Sequence, residues 1–92
     1  MRIAFTFRHL DATDALKDYV ADKLARVQRV LPGPAQAAVV LSTERFLQEC
    51  DVTVTSAGKT FKGSQRSEDM YASVDRAVDR VERQVRKSKG RA

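Results

Sequence analysis

The sequence has one cysteine and one histidine in 92 residues, and it has no tryptophan. A single cysteine, Cys50, cannot form an internal disulfide, which agrees with a reducing cytoplasm. Cys50 and His9 together make no recognisable metal site, and the serines lack a nucleophile motif. We therefore expect no metal, no cofactor and no small-molecule substrate, and we expect that the protein is not an enzyme.

Long apolar stretches are also missing. The N-terminal segment MRIAFTFRHLDATD lacks the apolar run and the small-residue cleavage site of a signal peptide. No segment approaches the ~20 consecutive apolar residues of a membrane span. The segment AGKT, residues 57–60, resembles a phosphate-binding loop only superficially, because the glycine that should precede it is absent. We expect a soluble cytoplasmic protein.

Positive charge is in excess. Lysine and arginine number 17, aspartate and glutamate 12, and the formal net charge is +5. Such an excess on a small chain indicates a polyanionic partner, with nucleic acid first and an anionic membrane second. Hydrophobic residues make up 42% of the chain, enough for one layer of core between a sheet and a few helices. We expect one domain over residues 1–88 and a flexible basic tail over residues 89–92.

Two kinds of apolar periodicity begin the chain. The segment RIAFTFR alternates with a period of two, as a half-buried strand does, and places Phe5 and Phe7 on its inner side. Residues 11–34 repeat apolar side chains at three- and four-residue steps, which predicts a helix. Thr13 is the predicted N-cap of this helix, and a Pro-Gly-Pro segment ends it.

Three further strands follow. The apolar run AQAAVVLST, residues 35–43, is predicted to be a well-buried strand. FLQECDVTVTS alternates, with Cys50 and Val52 inward, and KTFKGSQ forms the last strand with Phe61 inward. Residues 57–58 are expected to close the hairpin between these two strands. The link between the second and third strands contains no glycine, proline or asparagine.

The predicted order is β-α-β-β-β-α, an α+β fold. A strand-helix-strand crossover makes the first two strands parallel if they are neighbours, and the later strands can pair antiparallel through short turns. Both helices must cover the same face of the four-stranded sheet, because the alternating strands are apolar on one side only.

The C-terminal segment SEDMYASVDRAVDRVERQVRKSKGRA predicts a helix that begins near Glu68 and frays after Lys87. At about 100° per residue its side chains form three stripes. The apolar stripe faces the core, the acidic stripe lies on one flank, and the basic stripe lies roughly opposite the core. The apolar stripe is Met70, Tyr71, Val74, Ala77, Val78, Val81 and Val85, the acidic stripe is Asp75, Asp79 and Glu82, and the basic stripe is Arg76, Arg80, Arg83 and Lys87.

The basic stripe has two interpretations, which charge alone leaves about level. It is a solvated face if Asp79 pairs with Arg83 and Glu82 pairs with Arg86, and each such pair contributes only about 0.2–0.5 kcal/mol. It is a binding surface for phosphates if its arginines bind a polyanion instead of pairing with these acids.

Cations of the first helix extend this surface. If the two helices pack side by side, we expect their edge cations to form a joint positive groove, although Asp22 can pair with Arg26. The cations of the first helix are Lys17, Lys23, Arg26 and Arg29. Contacts to the nucleic-acid backbone are favoured over base stacking, because the aromatic side chains are expected to be internal. Those aromatic residues are Phe5, Phe7, Tyr19, Phe61 and Tyr71.

Residues 68–89, EDMYASVDRAVDRVERQVRKSK, resemble the ribosome hibernation promoting factors and ribosome-associated inhibitors of bacteria in their acidic-Met-Tyr start and basic end. VADKLARVQR, residues 20–29, is similar to the first helix of that family, and the strands agree in pattern and length. The resemblance covers essentially the whole chain and is to the short form of the family, which lacks the second domain of the long form.

This resemblance implies a fold like that of double-stranded-RNA-binding domains and a place on the small ribosomal subunit, against 16S ribosomal RNA. There the protein would overlap messenger RNA and the transfer-RNA anticodon stems in the A and P sites. Translation would be blocked in stationary phase or stress, without covalent chemistry and without a membrane. A helper protein for ribosome pairing is a further partner that the resemblance allows. A structured-RNA-binding module acting off the ribosome, or a protein-interaction modulator of transcription, are the alternatives.

The resemblance also implies which residues bind ribosomal RNA. Met70 and Tyr71 match the family signature, and we expect both to be core anchors because they lie on the apolar stripe. Arg76 stands where the family is often not basic, so its assignment rests on this sequence alone. The basic positions that match are Lys23, Arg26 and Arg29 in the first helix and Arg80, Arg83 and Lys87 in the last, with Lys89 and Arg91 as looser matches in the tail.

Overall fold

The structure, a computed structural model, describes residues 1–89 and has the predicted order of elements. The sheet has the strand order β1-β2-β3-β4. β1 pairs parallel with β2, and the two remaining pairs are antiparallel, which confirms the α+β prediction. The likeness to double-stranded-RNA-binding domains stays a prediction. The elements are β1 (Arg2–Arg8), α1 (Asp14–Gln28), β2 (Ala35–Glu44), β3 (Leu47–Ser56), β4 (Lys59–Ser67) and α2 (Met70–Lys89).

Both helices cover one face of the sheet, as predicted. Their apolar side chains join the inward side chains of all four strands in a single core. α2 packs over β3 and β4, and α1 packs against α2. The fully buried side chains at the centre of this core include Val20 and Leu24 of α1, Leu41, Val52 and Val54 of the sheet, and Val74, Val81 and Val85 of α2.

The start of α1 agrees with its predicted cap. The Thr13 hydroxyl accepts a hydrogen bond from the backbone N–H of Leu16 at 3.2 Å, which satisfies one of the free donors of the first turn. Asp14 lies in that turn, where a negative charge interacts favourably with the positive end of the helix dipole. The helix ends at Gln28, before the Pro-Gly-Pro segment.

β2 corrects one prediction. The run AQAAVVLST was expected to be well buried, but its side chains alternate between buried and exposed along most of the strand. Ala37 and Val39 lie in the core, whereas Ala38 is exposed and Val40 is half-buried. The reason is that neither helix covers the second face of the sheet, so the outward side chains of β2 meet solvent.

The two hairpin turns differ in their residues, because only one of them contains a glycine. Ala57 and Gly58 have φ angles of 52° and 75°, the left-handed conformation that a two-residue hairpin favours, and they confirm the predicted turn. The turn between β2 and β3 consists of Arg45 and Phe46, and Arg45 is held at a φ of 59°. A left-handed residue with a side chain costs roughly 1–2 kcal/mol, which glycine avoids.

α2 begins and ends later than predicted. It starts at Met70 rather than near Glu68, and the Asp69 carboxylate accepts a hydrogen bond from the Tyr71 N–H at 3.1 Å, as an N-cap does. It continues to Lys89 instead of fraying after Lys87. The remainder of the predicted basic tail, residues 90–92, lies outside the described residues.

Gly63 sets the distance between α2 and the sheet. It is buried in β4, beneath the middle of α2. A methyl group built on its Cα would overlap the backbone carbonyl oxygen of Ala77 and would lie 3.1 Å from a methyl carbon of Val81. The absence of a side chain at this position therefore lets the helix backbone lie directly on the strand.

Candidate nucleic-acid interface

The apolar stripe of α2 is buried as predicted except at Tyr71. This side chain is 41% exposed, so the prediction that it is a core anchor was wrong. Its ring meets the Tyr19 ring edge-on, with centroids 4.8 Å apart. Tyr71 thus joins α2 to α1 at the surface of the core, while its neighbour Met70 is buried as expected.

Ser73 takes the buried position that the apolar pattern did not assign. It is completely buried, and its hydroxyl donates a hydrogen bond to the Gln48 carbonyl at 2.7 Å. The same hydroxyl lies 2.7 Å from that of Ser67. The first turn of α2 is thereby fixed to β3 and to the end of β4, which orients the stripes that follow along the helix.

The acidic stripe faces α1. The Tyr19 hydroxyl donates a 2.6 Å hydrogen bond to the Asp75 carboxylate, and the Lys23 ammonium lies 3.1 Å from the same oxygen. The hydrogen bond to Asp75 and partial burial raise the pKa of Tyr19 to about 12. Partial burial favours the neutral form of Asp75, but the hydrogen bonds from Tyr19 and Lys23 outweigh it and lower the pKa of this carboxyl. Asp75 therefore remains charged and holds the two helices together.

The basic stripe lies towards β4, on the opposite flank of α2. The Arg80 guanidinium donates a 3.1 Å hydrogen bond to the side-chain oxygen of Gln65 in β4. One turn later, the Gln84 carboxamide accepts from the Lys62 N–H at 3.0 Å and donates to the Lys62 carbonyl. Arg80 and Gln84 thus connect this flank of α2 to β4.

The predicted joint groove is not formed as expected. The acidic stripe lies between the cations of α1 and the basic stripe, and its Asp75 takes up Lys23 at the helix contact. The Lys23 side chain is only 24% exposed, whereas Arg26 and Arg29 are exposed residues. The structure therefore presents two separate groups of cations, one on α1 and one on the β4 side of α2.

Ion pairing distinguishes the two interpretations of the basic stripe. Within residues 1–89 there are three ion pairs, which join Lys23 to Asp75, Arg66 to Glu49 and Arg86 to Glu82. The predicted Glu82–Arg86 pair is confirmed, at 2.9 Å. The Asp79–Arg83 and Asp22–Arg26 pairs are not among the ion pairs of this part of the chain.

The basic stripe consequently has no carboxylate partner within the described chain. Its four side chains, Arg76, Arg80, Arg83 and Lys87, are all exposed. At 1.5 Å per residue they form a row roughly 16 Å long. Lys89 is exposed at the end of the helix, and Arg91 lies outside the described residues. The assignment of these cations to RNA binding stays a prediction.

Other kinds of site find little support. Among residues 1–89, no three His, Cys, Asp or Glu side chains come together as metal ligands would. Burial raises the pKa of the Cys50 thiol to about 12, which keeps it protonated and unreactive at neutral pH. No helix in this stretch of the chain is both long enough and apolar enough to cross a membrane.

Phe46 is the residue that the sequence patterns missed. The sequence placed it at the start of the third strand, FLQECDVTVTS, and not among the aromatic residues expected to be internal, but it is 67% exposed at the turn between β2 and β3. The signal lay in its position: it directly precedes an alternating strand, at a link without the usual turn residues. Both residues of this turn, Arg45 and Phe46, are exposed.

Comparison with known proteins gives one family and several close relatives. The model of the family described as Sigma 54 modulation protein / S30EA ribosomal protein matches residues 3–92. The chain is 33% identical to the ribosome hibernation promoting factor of Azotobacter vinelandii, over 97% of this chain and 83% of that protein. It is 30% identical to the factor of the same name from Escherichia coli, over 97% and 94%. The crystal structure of the Thermus thermophilus Protein Y N-terminal domain superimposes with a TM-score of 0.88, at 38% identity, over 96% of this chain and 99% of that domain.

Proposed function

Because the chain belongs to the Sigma 54 modulation protein / S30EA ribosomal protein family, we propose that it is a ribosome hibernation factor. It binds 16S ribosomal RNA of the small ribosomal subunit in the decoding channel. There it occupies the A and P sites, excludes messenger RNA and transfer RNA, and represses translation in stationary phase or stress. It acts in the cytoplasm, without a cofactor or a catalytic step, and a helper protein for ribosome pairing is a further partner under this proposal.

The observation that carries the proposal is the uncompensated charge of the basic stripe. Four cations stand in one exposed row on a rigid helix, with no carboxylate paired to them within residues 1–89. Phosphate contacts of this kind dominate the affinity of proteins for nucleic acids through counterion release. The planar guanidinium group of arginine can also donate two hydrogen bonds to one phosphate. Because the row is built on a helix that Ser73 and Gly63 fix against the sheet, little conformational entropy of the backbone is lost when RNA binds.

The cations of α1 contribute unequally under this proposal. Arg26 and Arg29 are exposed and free to contact RNA, whereas Lys23 is held by Asp75 beside the Tyr19 ring. Lys23 must leave part of that contact to reach a phosphate. Its replacement is therefore expected to weaken ribosome binding less than the replacement of Arg26.

Reversal of charge on the basic stripe tests the proposal. The variant Arg80→Glu/Arg83→Glu/Lys87→Glu is expected to lose co-sedimentation with ribosomes and to stop inhibiting cell-free translation. A control of the same kind, Arg2→Glu/Lys17→Glu, reverses two exposed cations outside the basic stripe and is expected to bind.

Milder variants measure the same interactions. Neutralising the three residues with glutamine is expected to lower the salt dependence of binding by roughly one unit of slope for each phosphate that is no longer bound. If the charge-reversed variant keeps its fold, as measured by circular dichroism, and still co-sediments with ribosomes as the wild type does, the proposed binding surface is contradicted. Competition separates ribosome binding from general RNA binding, because ribosomes should outcompete free duplex RNA by a wide margin only if the proposal holds.

Modulation of transcription is a second candidate, since the family description also names a Sigma 54 modulation protein. A protein partner of that kind should be retained after nuclease treatment, and its binding should respond weakly to salt. Ribosome co-sedimentation, in contrast, should fall steeply between low and moderate salt. Pull-down from the same lysate with and without nuclease distinguishes the two candidates.

A further inference from the structure

A second cationic surface lies at the end of the sheet, on the face that no helix covers. It is a cleft of about 390 Å³, formed where β1 ends, where β2 turns into β3, and where β4 approaches α2. Its lining includes Arg8, His9, Arg45 and Arg66, together with Glu44 and Glu49. Ser42, Glu49 and Arg66 share the sheet face that no helix covers, because they stand in register across β2, β3 and β4.

The arginines of this cleft are only partly neutralised. Arg66 lies 3.5 Å from Glu49, and both side chains are open to solvent, so the attraction between them is weak. Arg8 and Arg45 form no ion pair within residues 1–89. At least two guanidinium forks are thus available at the cleft for an anionic ligand, and phosphate matches their geometry.

Phe46 adds an exposed aromatic side chain at the same turn, next in the chain to Arg45. It stands between Arg45 and Leu47, which both line the cleft, and its side chain is 67% exposed. An exposed aromatic ring beside arginines is the combination that binds single-stranded nucleic acid, because the ring stacks on a base while the cations hold the flanking phosphates. A duplex offers no free base face for such stacking.

The backbone at this cleft is held in an uncommon conformation. Three residues other than glycine have a positive φ within residues 1–89, and two of them, His9 at 63° and Arg45 at 59°, line the cleft. The third, Ala57, belongs to a two-residue hairpin turn, as Arg45 does. Strained backbone of this kind persists where the surroundings hold it and is concentrated at functional sites. At Arg45 it directs the side chain of an arginine, rather than a glycine, towards the cleft.

The cleft and the basic stripe meet across β4. Gln65 binds Arg80 on the helix-covered face, and the next residue, Arg66, points to the open face and lines the cleft. A nucleic-acid strand that follows the basic stripe can therefore continue over the outer side of β4 to Arg66. Both surfaces can then be occupied by one RNA molecule.

From this arrangement we propose that the turn between β2 and β3 is a second RNA contact, which binds an unpaired nucleotide. Phe46 stacks on the base, and Arg45, Arg8 and Arg66 hold the phosphates on either side. The inference rests on the proposed function for the identity of the RNA as ribosomal, but the stacking site itself is a property of the turn.

The test measures binding to two RNA probes of equal length by fluorescence anisotropy. One probe is an unstructured 12-nucleotide oligouridine, and the other is a blunt duplex of the same length. Phe46→Ala is expected to weaken binding of the single strand at least about fivefold, because stacking on an aromatic residue contributes that much or more per base. Duplex binding is expected to stay within about twofold.

Two further variants separate stacking from other contributions. Phe46→Trp keeps an aromatic face and is expected to bind the single strand at least as well as the wild type. Phe46→Leu keeps an apolar side chain without a ring and is expected to behave as Phe46→Ala does. Retention of single-strand binding by Phe46→Leu, or no measurable single-strand binding by the wild type, would overturn the inference and leave this apolar tip as a protein contact.

The same variants keep this inference distinct from the proposed function. The charge-reversed variant of α2 reports on ribosome binding, whereas Phe46→Ala reports on the turn. If Phe46→Ala binds both probes and ribosomes as the wild type does, only the second RNA contact is refuted. If the charge-reversed variant binds ribosomes normally while Phe46→Ala loses the single strand, the proposed ribosomal surface fails and the stacking site stands.

Discussion

Replacement of Gly63 by alanine is expected to destabilise the domain strongly. The added methyl group would overlap the Ala77 carbonyl oxygen of α2 and would press on Val81. A clash with backbone cannot be relieved by turning a side chain, so the helix must move away from β4. Overpacking of a well-filled core typically costs about 1–3 kcal/mol, and a clash with backbone places this variant at about 3 kcal/mol. For a domain of this size, that loss lowers the melting temperature by roughly 12–24 °C.

Gly33→Ala is the matched control. Gly33 has no atom within 4 Å of the position of an added methyl group, and its φ is not in the left-handed region. The same chemical change there is expected to leave the melting temperature unchanged or to raise it slightly, because alanine restricts the unfolded chain. Thermal unfolding followed by circular dichroism compares the two variants. If Gly63→Ala melts with the wild type, the close approach of α2 to β4 does not limit stability, and the reasoning is refuted.

Two further predictions concern titratable side chains. Tyr19→Phe is expected to cost about 1 kcal/mol of unfolding free energy and to raise the Asp75 pKa, which denaturant titration and NMR can measure. In the wild type, the lowered pKa of Asp75 means that its contribution is present above the ordinary carboxyl pKa of about 4 and is lost as the pH falls through the lowered value. The raised pKa of Tyr19 means that its contribution is complete below pH 10 and is lost as the pH rises towards 12; a pH profile unchanged by Tyr19→Phe would contradict both statements. Cys50 is fully buried with a raised pKa, so a thiol reagent at neutral pH is expected to modify it only as fast as the domain opens, and immediate labelling of the folded protein would contradict its placement in the core.

Local chemistry in the sequence was sufficient for the elements and their order. The Thr13 hydroxyl caps α1 through a bond within its own first turn, and Ala57 with Gly58 forms the hairpin turn. Alternation in β1 and β3, and the steps of three and four in the helices, arise from the geometry of each element alone. Such features need no knowledge of the remainder of the chain.

Features that depend on what lies beside an element were predicted poorly. Ala37 and Ala38 have the same hydropathy, yet one is in the core and the other is exposed, because only one face of β2 is covered by helices. A helical projection placed Tyr71 towards the core correctly in direction. It did not reveal that the Tyr71 ring would meet the Tyr19 ring edge-on and remain 41% exposed.

Charge pairing shows the same limit. Pairs at i,i+4 can be read from the sequence, and Glu82 with Arg86 forms one. The pair between Lys23 and Asp75 joins residues far apart in the chain, so only the docking of the helices creates it. That docking also places the acidic stripe between the two groups of cations, which is why the expected joint groove does not appear. The exposure of Phe46 likewise follows from a turn that could not be predicted, because its sequence contains no glycine, proline or asparagine.

The pairing of Gln84 with Lys62 has a consequence for association. β4 is an edge of the sheet, and the outward N–H and C=O groups of an edge strand can template the addition of a strand from another molecule. The Gln84 carboxamide offers an acceptor to the Lys62 N–H and a donor to the Lys62 carbonyl, as a peptide group of a neighbouring strand would. The Gln84 side chain thus occupies a position at which a neighbouring strand would form two of its hydrogen bonds with β4. An incoming strand must break both hydrogen bonds to pair there, so edge-to-edge aggregation through β4 is disfavoured and β1 is the edge left for strand addition.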